Sequence, residues 1–209
     1  MCIRDSYLHT SAGIVLTASH NPAQYNGYKV YNDNGGQIAN EAADEISASI
    51  AQTPVFGGVK MMDFDEGLKQ GLIEWTPEEV LDAFIDAVKK VSVPGFKAPE
   101  GYKVVYTPLN GTGMECVTRI LKEIGVNDVT VVPEQANPDG NFPTCKYPNP
   151  EFGEALQMAL DLAEKVKPNL VVATDPDADR MGTAIPHNGE YKLLTGNEMG
   201  VLMMDWLIK

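Results

Sequence analysis

Cysteine is scarce in this chain. Three occur in 209 residues, Cys2, Cys116 and Cys145, and their separations show no paired spacing. That argues against a disulfide framework or a cysteine zinc site and fits a reducing compartment. No apolar run approaches the ~18 residues that a membrane-spanning helix requires. The opening Met1–Ser6 lacks the apolar core of a signal peptide. A cytoplasmic protein is the expectation. Positive charge is also short, with 16 Lys+Arg against 29 Asp+Glu and a formal net charge of -13. So negative a surface repels phosphate backbones and anionic lipid, which makes nucleic acid and membranes poor partners. A small anionic substrate stays open, because a local cluster of cations and backbone N–H groups can overcome a distant field. Internal repeats and low-complexity segments are missing as well.

What is present is ordinary globular composition, enough for one large domain or two small ones. The run Gly13-Ile-Val-Leu16 reads as a short buried strand. Tyr28–Tyr31 reads as a second, ending at the Asn34-Gly35-Gly36 hairpin signal. Asn40 is expected to cap a helix to about Ala51, and 52–75 reads as irregular. Thr76-Pro-Glu-Glu79 has the form of a capping box ahead of Val80, Leu81, Phe84 and Val88 at helical spacing. Beyond it, strands at Lys103–Thr107, Asp128–Val132 and Leu170–Thr174 alternate with helices at Gly113–Ile124 and from Asn149-Pro150 to Val166. This order implies an α/β fold with mixed, mostly parallel sheets flanked by helices. Met181–Ile185 and Glu190–Leu194 flank His187-Asn-Gly189, a further hairpin, and a last helix starts near Asn197.

Two stretches carry chemistry. The strand Leu170–Thr174 runs into Asp175-Pro-Asp-Ala-Asp-Arg180. Three carboxylates at alternate loop positions can turn inward and supply oxygen ligands to a hard divalent cation. A solvated acidic turn is the plain alternative, since Pro and Asp are common in turns. Position favours the site: the loop follows the carboxyl end of a parallel strand, where ligand crevices of open α/β sheets lie. An EF-hand calcium loop does not fit, because its sixth position would be Arg180 and its twelfth Pro186. With no local glutamate, Mg2+ suits the loop better than a calcium cage.

The other stretch, TASHNP at Thr17–Pro22, places Ser19 just past the first strand. Taken alone, Ser19 reads as a turn residue satisfying backbone N–H groups. A Ser–His–Asp hydrolase is the familiar catalytic reading. It is disfavoured, because adjacent side chains on an extended segment point to opposite faces, which sets His20 apart from Ser19. The G-x-S-x-G elbow is absent too. A nucleophilic Ser19 would need another activator, and a cation on the aspartate loop is the natural one.

Together the two stretches resemble the α-D-phosphohexomutase superfamily of phosphoglucomutases and phosphomannomutases. TASHNP matches its phosphoserine loop and Asp175–Arg180 its magnesium loop. Tyr25–Tyr31, Thr107-Pro-Leu-Asn-Gly-Thr-Gly113 and Leu194-Thr-Gly-Asn197 resemble the branch of glucose-type and pentose-type mutases. The resemblance implies a phosphorylated Ser19, with Asp175, Asp177 and Asp179 as Mg2+ ligands beside it. It implies His20 near the transferring group, Lys29 assisting proton transfer at the sugar hydroxyl, and Arg180 contacting phosphate or the serine loop. A phosphosugar is then the substrate, with glucose 1,6-bisphosphate as activator. Glucose 1-phosphate and glucose 6-phosphate are the expected pair; mannose or pentose phosphates, or a non-catalytic metal- and phosphate-binding module, are the alternatives. Read from residues alone, Lys29 is also an ordinary exposed strand lysine, and Arg180 a partner for its own aspartates.

By this resemblance the chain divides at 1–75, a partial phosphoserine-loop domain with linker, 76–192, a metal-binding α/β domain, and 193–209, the start of a third. It enters the first domain midway and lacks the family's sugar-selecting and phosphate-binding loops, so the expectation is a fragment inactive alone.

Overall fold

The computed structural model describes residues 2–93 and 95–208, with side chains placed from residue 4 onward. Contacts divide the chain into two units, 1–15 with 29–90 and 16–28 with 91–209. The first unit opens with helix α1 (Cys2–Leu8), which the sequence reading did not anticipate, followed by strand β1 (Gly13–Leu16). Asp5 on α1 is fully buried, takes two bonds from the Arg4 guanidinium, and lies where a side chain on Gly13 would reach. Strand β2 (Tyr28–Tyr31) is the hydrogen-bonded neighbour of β1. The turn after it is closed by the Asn32 side chain accepting from the Gly36 N–H, with Gly35 at a positive φ of 79°.

Helix α2 (Asn40–Gln52) forms as expected, but Asn40 is its first residue rather than its cap; Ala39 holds the cap position without a side-chain bond. Within the segment read as irregular, a six-residue helix α3 (Phe64–Lys69) forms because Asp63 accepts from the Glu66 N–H at its start. Helix α4 (Glu78–Lys90) buries Val80 and Ile85 and packs against α1.

The second unit is built on a five-stranded sheet. Its first strand, β3 (Lys103–Thr107), has four consecutive buried residues, the pattern of a strand covered on both faces. Alternate side chains go to opposite layers. Val104 and Tyr106 cluster with residues of helix α5 (Met114–Glu123), while Val105 packs on helix α6 (Gly153–Val166). Ala155, Ala159 and Ala163, one turn apart on α6, are all buried and let that helix approach the sheet closely.

Strands β4 (Asp128–Val131) and β5 (Leu170–Thr174) pair in parallel with β3 from either side. Strands β6 (Met181–His187) and β7 (Glu190–Leu194) then add antiparallel, giving the order β4-β3-β5-β6-β7. Their hairpin turns at Asn188 and Gly189, both at positive φ, as the Asn-Gly signal implied. A last helix, α7 (Gly196–Ile208), carries Trp206 edge-on to Phe96. Among the described residues no helix is long and apolar enough to cross a membrane.

The arrangement therefore mixes parallel and antiparallel pairings. Its parallel half, β4-β3-β5, delivers the loops after β3 and β5 to one edge of the sheet, and those loops hold the site.

Candidate functional site

Strand β5 ends in buried Thr174, and the chain then reverses through Asp175–Arg180. Asp175 organises that reversal. Its Oδ1 accepts from the backbone N–H groups of Asp179 (3.1 Å) and Arg180 (3.0 Å), while its carbonyl accepts from the Ala178 N–H. Ala178 adopts a positive φ of 57°, which brings Asp179 round to the same side as Asp175 and Asp177. One ligand atom from each of the three carboxylates lies within 4.8 Å of the others.

The serine loop meets this group inside the second unit. Strand β1 stops at Leu16, and Ser19 sits in a turn at a positive φ of 54°. The Thr17 hydroxyl accepts from the Ser19 N–H at 2.9 Å and donates to Asp177 Oδ2 at 3.3 Å. The Ser19 hydroxyl donates to Asp175 Oδ2 at 2.9 Å, joining positions 156 residues apart. Gly27 allows the loop to close, since a Cβ there would stand 2.0 Å from the Thr17 carbonyl oxygen.

One expectation fails. His20 Nδ1 lies 3.1 Å from Ser19 Oγ, although alternation along a strand was expected to part them. The strand has already ended, and a left-handed Ser19 swings its side chain toward the imidazole. The serine nevertheless donates to a carboxylate of the acidic group, an arrangement different from a hydrolase triad.

Electrostatics single out the same group. Burial, the largest influence, pushes the Asp175 carboxyl up to about 6, and adjacent Asp177 pushes the same way against the bonds from Arg180 and Ser19. Asp175 is fully buried, so its charge is held at a cost that a bound cation would remove. The donor set is all oxygen and triply acidic, which fits Mg2+. The sign gives a prediction. A carboxyl raised in the folded state destabilises the cation-free chain in full above pH ~6, and the penalty fades as pH falls from there toward the ordinary carboxyl value of about 4. In EDTA, Asp175→Asn is expected to melt above the parent at pH 7.5, with the gap shrinking at pH 5; thermal melts at both pH values check it. A lower melting temperature at pH 7.5 would contradict it.

Arg180 supplies its backbone N–H to Asp175, and its side chain is exposed. Lys29 is half-buried on β2 and belongs to the first unit. Two further contributors were not singled out from sequence. Thr17 bridges the serine loop to Asp177, and the loop after β3 supports Pro176. A threonine opening a turn before a reactive serine is too common to stand out without coordinates.

Against this geometry the sequence comparisons are decisive. The family model described as phosphoglucomutase/phosphomannomutase, alpha/beta/alpha domain II, matches residues 82–189, just over half of the chain. The chain belongs to the phosphoglucomutase/phosphomannomutase family. The domain I model of the same family matches residues 3–54. Phosphoglucomutase of Staphylococcus saprophyticus is 38% identical over 201 residues, covering 95% of this chain and 36% of its own. Phosphoribomutase of Saccharomyces cerevisiae is 41% identical over 209 residues, covering 93% and 33%. The chain thus spans about a third of the length of these relatives. A crystal structure of a phosphoglucomutase/phosphomannomutase family protein from Burkholderia thailandensis shares the fold, with TM-score 0.66, 21% identity, and coverage of 94% of this chain and 38% of that one. Membership places the chain in the α-D-phosphohexomutase superfamily, whose curated relatives here are phosphosugar mutases.

Proposed function

We propose that this chain carries the phosphoserine and metal-binding parts of a phosphosugar mutase that interconverts glucose 1-phosphate and glucose 6-phosphate through a bisphosphate intermediate. The observation that carries the reading is the Ser19 hydroxyl donating to Asp175 within a group of three carboxylates. Asp175, Asp177 and Asp179 would hold Mg2+, together with an oxygen of phosphorylated Ser19. When bound, the cation cancels negative charge around the moving phosphoryl group, the main requirement of phosphoryl transfer.

The residues then take the following roles. In the forward step the P–O bond to Ser19 breaks and a P–O bond to a sugar hydroxyl forms, releasing the hydroxyl proton. Lys29 is assigned to that proton. The serine oxygen left behind takes a proton from His20 Nδ1, which lies in hydrogen-bond reach. After the bisphosphate reorients, the P–O bond between its other phosphate and the sugar breaks and a P–O bond to Ser19 Oγ forms, the serine proton returning to His20 Nδ1 and the proton held by Lys29 going to the freed sugar oxygen. Arg180 would hold phosphate from its exposed position. Domain limits at 75/76 and 192/193 and a cytoplasmic location belong to the same reading.

The resemblance of Tyr25–Tyr31, Thr107–Gly113 and Leu194–Asn197 to the branch of glucose-type and pentose-type mutases supports glucose or pentose phosphates over mannose phosphate, and glucose is the leading reading. The test uses the longest natural reading frame that carries this chain, incubated with Mg2+ and glucose 1,6-bisphosphate. One added phosphate mapping to Ser19, with turnover of glucose 1-phosphate exceeding that of mannose or ribose 1-phosphate, is expected. A folded, cation-binding protein with no phosphate on Ser19 would overturn it in favour of a non-catalytic binding module.

A further inference from the structure

We propose that Gly111 and Thr112 are positioning residues for the cation loop, acting through the peptide of Pro176. This rests on the reading of Asp175, Asp177 and Asp179 as cation ligands. Pro176 stands between two of them and has no N–H, so its carbonyl is its one backbone hydrogen-bonding group. That carbonyl accepts both the backbone N–H of Thr112 (2.9 Å) and the Thr112 hydroxyl (3.0 Å). The orientation of this peptide sets the direction in which Asp177 leaves the chain. Gly111 makes the approach possible: a Cβ there would lie 2.3 Å from Pro176 Cα and 2.6 Å from its carbonyl oxygen, both backbone atoms of the loop. Gly113 adds a second close approach, its missing side chain leaving room for the bonded hydroxyls of Tyr106 and Thr174 at the end of β5.

A support is useful only if it is itself fixed, and this one is. Leu109 and Asn110 both have positive φ, 49° and 57°, a costly pair for residues other than glycine. The surroundings impose it. The Leu109 N–H donates to the Thr107 hydroxyl, and the Asn110 N–H to the carbonyl of buried Gln135. The Asn110 amide donates to the carbonyls of Glu134 and Asn137 and accepts from Thr144, while its own carbonyl accepts from the Asp139 N–H. Gln135 in turn accepts from Thr107 and donates to Thr144. The proline-rich stretch 133–148, otherwise a long irregular loop, thereby clamps 107–113, and 107–113 clamps the peptide between two ligands. Strain at 109–110 is retained where it holds the cation loop at a single geometry.

Mn2+ affinity of this chain, measured by electron paramagnetic resonance well below the melting temperature, tests the proposal. The parent is expected to hold one Mn2+ that Asp177→Asn abolishes. Thr112→Val, which removes one bond to Pro176 without changing shape, is expected to weaken binding about fivefold. Thr112→Ser restores it to within twofold of the parent, a rescue that general destabilisation does not give. Gly111→Ala is expected to weaken binding tenfold or more; should it fail to fold, the Thr112 pair decides. Parent-like affinity in Thr112→Val and Gly111→Ala, with Asp177→Asn inactive, overturns the positioning role and leaves the ligand assignment standing. A parent that binds no Mn2+ overturns the ligand assignment and this inference with it.

Discussion

Asp177→Asn is expected to weaken divalent-cation binding by at least ~100-fold, which corresponds to about 2.7 kcal/mol. Affinity for a hard cation follows the number of charged oxygen ligands and the rigidity of their arrangement. The substitution removes one of three anionic donors, and Asp177 is the one that also receives the Thr17 hydroxyl. Asparagine still accepts that bond, so the serine loop stays in place and the loss isolates the charge. Stability of the cation-free chain is expected to hold or rise, because Asp177 is part of what pushes the Asp175 carboxyl upward. Mn2+ titration with a thermal melt in EDTA separates the two effects. Undiminished binding would remove Asp177 from the ligand set.

Ser19→Ala is expected to leave the fold intact and phosphoryl transfer absent. The hydroxyl makes one bond to the Asp175 carboxyl and one contact with His20, together worth about 2–4 kcal/mol, less than the roughly 5–15 kcal/mol that holds a folded domain. Backbone strain at 19 is unchanged, since alanine and serine meet the same restriction at positive φ. Chemistry responds differently. Without Oγ nothing accepts the phosphoryl group, and turnover in the longest natural reading frame is expected to fall roughly 10⁵-fold, the scale of deleting a nucleophile. A thermal melt and an assay with glucose 1-phosphate check both halves. Residual turnover near the parent level would show that Ser19 is a turn residue only.

The strand and helix order of the second unit was legible because its strands are apolar runs and its helices end clearly, although α6 starts at Gly153 rather than at Asn149-Pro150. Gly125 ends α5 at a positive φ of 98°, and Lys167 at 49° ends α6 just before Pro168. The hairpin at Asn188-Gly189 was equally plain. Helix α1 was not, since Met1–Ser6 shows no apolar period, and α3 was hidden by its length of six residues. In the site, the carboxylate spacing was readable because alternate positions in a loop share a direction. The Ser19–His20 contact was not, because the chain turns left-handed at Ser19 instead of staying extended. Thr112 lies within a stretch that resembles the family, yet its two bonds to Pro176 join loops 64 residues apart. No local pattern records a contact of that range.

In the proposed mechanism, Ser19 holds a phosphate against a cation on Asp175, Asp177 and Asp179. The most direct measurement is the Mn2+ affinity of this chain with phosphoserine incorporated at position 19, beside the unmodified chain. A phosphate placed at a hydroxyl 2.9 Å from a buried carboxylate is repelled unless a cation lies between them. At least tenfold tighter binding is expected in the phosphorylated chain, lost again with Asp177→Asn. Equal or weaker binding in the phosphorylated chain would contradict it.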